Sequence, residues 1–204
     1  MTDGHAQQNA RRFEAARNSF HGKTMTETQL RDTWGIAGIM ERSIRRTGTF
    51  KDKLNDFTNA FARSERFEHM KGEEIIRDIF KVRFGQTMNQ MREGLMEREA
   101  ALGPDAKQEA LERARLVLAD IQQGETMPFY AASEKHALPF AKTHGVTEVA
   151  AKKSMSAAFK EAEGRDLYDV GKELEAKHHV PVREAHREAQ KAERREYARS
   201  GPCR

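Results

Sequence analysis

The stretch 26-TETQLRDTWGIAGIMERSIRRTGTFKDKLNDFTNAF-61 decides the fold. Thr26 followed by Gln29 fits a capping box, in which side-chain and backbone groups satisfy each other reciprocally. Behind it, Leu30, Trp34, Ala37, Met40 and Ile44 share one helical face. Phe50, Leu54, Phe57 and Phe61 then recur at helical spacing and mark a second amphipathic helix. Gly35 and Gly38 lie inside the first helix, where each costs about 1 kcal/mol against Ala. Such a cost points to a neighbouring helix packed closely at both positions. β-branched residues are sparse and no stretch alternates at period two, so the chain reads as all-α.

The pattern extends outward on both sides. On the N-terminal side, a charged helix around residues 6–18 has few apolar anchors. On the C-terminal side, Ile75, Ile76, Ile79, Phe80 and Val82 form a wide apolar face in a helix near 72–84, which Gly85 stops. Residues 34–84 are the expected heart of the core. Thr87 and Gln90 repeat the capping-box spacing before Met88, Met91, Leu95 and Met96. Gly103-Pro104 breaks the chain, and Pro suits the first helical turn that follows. Leu111, Ala114, Leu118 and Ile121 mark the next helix, to Gly124. Beyond it the elements are expected to shorten, with Pro128 and Pro139 as punctuation. Later helices start near Thr147 and Leu167, and Pro181 opens a last helix in which charge predominates over apolar residues.

The expected fold is an all-α multi-helix bundle with a charged C-terminal helical arm. Residues 1–24 form a polar N-terminal helix or arm and 25–124 the main bundle. Residues 125–179 form a smaller helical region and 180–204 the arm. Val, Ile, Leu and Phe make up only 35 of 204 residues, which predicts a thin core and makes a homodimer plausible. The formal net charge is only +4, too small to hold the whole chain unfolded by self-repulsion. The single Cys, Cys203, allows neither an internal disulfide nor a Cys-based zinc site. No apolar run reaches the roughly 18 residues of a membrane span, and residues 1–20 lack a signal-peptide core. The expected location is the cytoplasm.

Catalytic motifs are missing. Gly171-Lys172 lacks the upstream glycine of a phosphate loop, and neither a nucleophile elbow nor Ser-x-x-Lys occurs. His178, His179, Glu184 and His186 have ligand chemistry, yet Glu184 and His186 point to different sides of a helix. The expectation is a non-enzymatic protein with no metal and no cofactor.

Charge points toward polyanions, weakly. Residues 1–63 carry +4, residues 64–124 carry −2 and residues 125–204 carry +2. Arg11, Arg12 and Arg17 form one basic cluster. Arg42, Arg45 and Arg46 form another, with Lys51 and Lys53 shortly after. Segment 137–159 resembles a helix-turn-helix over about twenty residues. Phe140 and Ala141 fall in its first helix, Gly145 in the turn and Val146 inward. That resemblance implies a second helix presenting Glu148, Lys152, Lys153 and Ser156 to the major groove. It departs from the motif at Ala151, Ser154 and Pro139. The expected phosphate contacts are Lys152, Lys153, Arg45, Arg46, Arg11 and Arg12. The C-terminal segment resembles the Arg-rich tails of substrates exported by conjugation-type secretion systems, although Glu residues are interleaved. Arg194, Arg195 and Arg199 are its expected partner contacts. The leading expectation is a nucleic-acid-binding regulator or accessory factor in DNA handling. The alternative is a protein-interaction module: an adapter, a structural subunit or an exported effector.

Overall fold

The structure, a computed structural model, describes residues 3–65, 69–123 and 127–178. Helix is the only regular secondary structure among them, as the all-α reading requires. The chain divides into two units. One holds the residues up to Ala101 together with Gly145–Val149; the other holds Leu102–His144 and the chain from Ala150 onward.

The first unit contains α1 (Asp3–Arg17), a short 3₁₀ turn (Gly22–Thr24), α2 (Glu27–Thr47), α3 (Lys51–Glu65), α4 (His69–Phe84) and α5 (Met88–Ala100). Both expected capping boxes are formed, at Thr26/Gln29 and Thr87/Gln90. Helix α4 packs against α1, α2, α3 and α5. It can serve four neighbours because Ile75, Ile76, Ile79 and Phe80 are all fully buried. Burying each such side chain contributes about 1.5–3 kcal/mol. Leu30, Met40 and Ile44 of α2, Leu54 and Phe61 of α3, and Met88, Met91 and Leu95 of α5 complete this core. Met96, grouped with them by spacing, is exposed instead.

Helix α1 is docked. Its Ala16 is fully buried, its Phe13 meets Trp34 edge-on at 5.1 Å, and Arg12 Nη1 donates to the carbonyl of Arg83 at 2.8 Å. The two glycines of α2 differ. A Cβ at Gly38 would lie 2.9 Å from Arg83 Nη1, so a neighbour does pack there. Gly35 is exposed with nothing within 4 Å, so close packing does not explain it.

The second unit contains α6 (Pro104–Gln122), α7 (Phe129–His144), α8 (Glu148–Glu163) from Ala150 onward, and a helix α9 over residues 167–178. Helices α6 and α7 run antiparallel, since Glu109 meets His144 and Asp120 meets His136. The core of this unit is built largely from alanine. Ala106, Ala110, Ala114, Val117 and Ile121 of α6 are buried, as are Ala132, Ala137, Phe140 and Ala141 of α7. Ala150, Ala151, Met155, Ala158 and Phe159 of α8 and Leu167 of α9 are buried too. Buried side chains therefore extend well beyond residues 34–84. The inward face of α6 centres on Ala114, Val117 and Ile121, leaving Leu111 and Leu118 half-buried on its flanks. Small side chains let helix backbones approach, so the alanines take the contact. Pro139 does not shorten α7: it sits exposed inside a helix of 16 residues.

Candidate nucleic-acid interface

The corner between α2 and α3 follows from local chemistry. Gly48 takes the left-handed conformation, with φ 72°, and closes α2 by donating its N–H to the Ile44 carbonyl at 2.8 Å. Phe50 turns inward and is buried. The hydroxyls of the corner are used within it. Ser43 Oγ donates to the Thr49 carbonyl at 3.2 Å, and Thr47 Oγ1 donates to the Ser43 carbonyl at 3.0 Å. Thr47 Oγ1 also lies 2.9 Å from Thr49 Oγ1.

Outside this hydrogen-bonded corner stand the cations Arg42, Arg45, Arg46, Lys51 and Lys53, all exposed, with one acid, Asp52, among them. At 100° per residue, Arg42 and Arg46 fall on the side of α2 opposite Ile44 and Arg45 on its flank. Arg45 is ion-paired with Glu41 one turn earlier. Arg46 Nε lies 3.7 Å from Glu148 Oε2, and Glu148 is buried. Arg42, Lys51 and Lys53 make no ion pair with any described residue. The two arginines singled out from the sequence are thus the ones with carboxylate partners, and the cations beside them are free. The Glu41–Arg45 pair follows from its spacing of four; the Glu148 partner, a hundred residues away in the chain, does not.

The other expected contacts are scattered. Arg11 is exposed on α1, whereas Arg12 is half-buried and spent on the Arg83 carbonyl. Arg17 is held by Glu14 and Glu27. Between α7 and α8 there is a short turn with Gly145 at φ 64°, and Val146 is buried, as the helix-turn-helix resemblance implies. Arg98 Nε donates to the Gly145 carbonyl at 2.7 Å. The start of α8 differs from the expectation: Glu148 is buried against Arg46 and is not presented to solvent. Lys152 is half-buried and Lys153 is exposed. Arg194, Arg195 and Arg199 lie outside the described residues, as do His179, Glu184 and His186.

The second unit carries four polar or apolar features that sequence reasoning missed. Glu109 Oε2 lies 2.9 Å from His144 Nε2, and Arg113 holds the other oxygen at 3.0 Å. The hydrogen bonds from His144 and then Arg113 keep the Glu109 carboxyl below the usual range. Asp120 Oδ2 likewise takes Lys135 Nζ and His136 Nε2, both at 2.8 Å, and its carboxyl is lowered by Lys135 first and His136 second. Exposed Tyr130, at the start of α7, and Tyr168, in α9, lie 6.1 Å apart, with Lys172 Nζ 5.0 Å from the Tyr130 ring centre. Finally, a groove of about 420 Å³ is lined by Pro104, Ala106, Lys107, Phe140, Ala157 and Ala158, among others. The Glu109–Arg113 pair follows from its spacing of four, whereas the His144 and Lys135/His136 partners depend on the antiparallel register of α6 and α7 and no local spacing announces them.

No helix among the described residues is long and apolar enough to cross a membrane. Compared with protein-family models, curated proteins and solved structures, the chain matches none.

Proposed function

We propose that this is a non-enzymatic helical nucleic-acid-binding protein, a regulator or accessory factor in DNA handling, that meets phosphate with the α2–α3 corner. One observation carries the reading: five exposed cations and a single acid, from Arg42 to Lys53, surround one tight helix-to-helix turn. Lys and Arg bind nucleic acid chiefly by neutralising phosphates and releasing their counterions. Arg42, Lys51 and Lys53 are available for this without breaking an existing ion pair. Arg45 and Arg46 must exchange Glu41 and Glu148 for phosphate. The test is fluorescence anisotropy of labelled DNA with nucleic-acid-free protein at about 50 mM salt, a regime where phosphate contacts are strong. Salt-sensitive binding supports the reading. Absence of binding to both duplex and single strand refutes it.

A second reading, a protein-interaction module, is favoured by the groove along α6 and α8. Its walls are Pro104, Ala106, Ala157, Ala158 and Phe140, and an amphipathic partner helix is the kind of ligand such grooves accept. Ala157 is exposed at this groove, so Ala157→Trp fills it from the solvent side. Loss of a captured partner in that variant, with DNA binding retained, favours this reading. An unchanged partner set counts against it.

A further inference from the structure

The α2–α3 corner offers charge and almost nothing else, and this bears on what it recognises. Resting on the nucleic-acid reading above, we infer that the corner grips the phosphate backbone of duplex DNA without reading base sequence. Three observations carry the inference. The hydroxyls of Ser43, Thr47 and Thr49 are engaged with each other and with the corner's own carbonyls, so they are not held out toward base edges. The aromatic ring of the corner, Phe50, is buried and cannot stack on an unpaired base. The cations stand on two helices that pack against each other. Lys51 and Lys53, two residues apart in α3, leave different sides of that helix, so the cations spread around the corner and do not line up along one edge of bases. Spread charge of this kind matches phosphates, which carry position but no base sequence.

This geometry separates the ligand classes. Proteins that prefer single strands combine a basic track with exposed aromatic side chains, and the corner has only the first. Duplex carries the denser phosphate charge, and its counterion term per contact is larger than that of a single strand. No large apolar side chain between Arg42 and Lys53 is exposed to enter a lipid surface.

The salt dependence sets the size of the effect. Three free cations, or five if the two paired arginines also turn to phosphate, give a slope of log K against log salt of about −2.7 to −4.5. Affinity therefore falls by about 40- to 500-fold between about 50 and about 200 mM salt. The experiment titrates the full chain with two duplexes of equal length and unrelated sequence, with one single strand, and with phosphatidylserine vesicles. It is repeated with Arg42→Ala, Lys51→Ala and Lys53→Ala combined. A control triple, Lys23→Ala, Lys142→Ala and Lys160→Ala, removes three other exposed cations. Circular dichroism checks that both triples keep their helix content.

The expected result is equal affinity for the two duplexes within about twofold and weaker binding to the single strand. The corner triple then loses about 2.7 from the slope, and the control triple keeps it. Tenfold discrimination between the duplexes overturns the inference while leaving nucleic-acid binding intact. So does preference for the single strand, equal binding to vesicles, or equal flattening of the slope by the control triple. No binding to any nucleic acid removes the underlying reading as well.

Discussion

The same substitution, Gly to Ala, should change stability in opposite directions at two helical positions. Gly35 lies inside α2, exposed, with nothing within 4 Å of an added Cβ. Ala there removes the helical penalty of Gly and should stabilise the first unit by about 0.8–1 kcal/mol. With a urea slope of about 1–3 kcal/mol per M, the midpoint rises by about 0.3–1 M. Gly171 lies inside α9, where local propensity promises the same gain. Here, however, an added Cβ would run into Phe129 Cδ2 and stand 2.6 Å from its Cε2. The Phe129 ring cannot move aside cheaply. It is buried, and its edges meet Tyr130 at 5.8 Å and Tyr168 at 5.4 Å. Overpacking of this kind costs about 1–3 kcal/mol. A rigid site belongs in the upper part of that range, so after the helical gain the net loss is about 1–2 kcal/mol. The two changes fall in different units, and the probes separate them. Trp34, the single tryptophan, reports the first unit by fluorescence, and far-ultraviolet circular dichroism reports both. A Gly171→Ala protein as stable as the parent, or more so, would refute the close approach of α9 to Phe129. A Gly35→Ala protein that loses stability would refute the openness of α2 at that position.

Two further outcomes follow from the packing and the charges. Phe80→Ala empties a fully buried site beside Phe84, whose ring centre is 4.7 Å away; it should cost about 3–5 kcal/mol, read as a lower urea midpoint by Trp34 fluorescence. Glu109 and Asp120 have carboxyl pKa values lowered in the folded protein, by His144 and Arg113 and by Lys135 and His136. Their stabilisation is therefore fully present above the unfolded carboxyl values, about 4, and is lost as pH falls through the lower folded values. A Glu109→Gln, Asp120→Asn protein should show a shallower acid loss of urea midpoint than the parent below about pH 4, and an unchanged acid slope would refute the two clusters.

Residues 26–61 carried the architecture of the first unit in their sequence, because every signal there is local. Capping boxes span four residues, and an apolar face repeats every three or four. Gly48 in its left-handed turn needs only its neighbours. The second unit was harder to read, because its core is alanine. An alanine looks the same to a hydropathy pattern whether buried or exposed, so Ala114 and Ile121 were placed on the inward face of α6 but Leu111 and Leu118 took the positions that the structure gives to Ala110 and Val117. The basic corner was visible as a cluster, yet which of its cations are free was not. Glu41 could be assigned to Arg45 by helical spacing, whereas Glu148 reaches Arg46 only through folding. The same holds for Arg12, a basic residue in the sequence and a strut on the Arg83 carbonyl in the structure. Local periodicity thus determined the helices, their caps and the places where charge accumulates. Tertiary contact alone decided which glycines are crowded, which carboxylates meet which cations and which arginines remain open to phosphate, because those outcomes depend on residues distant in the chain.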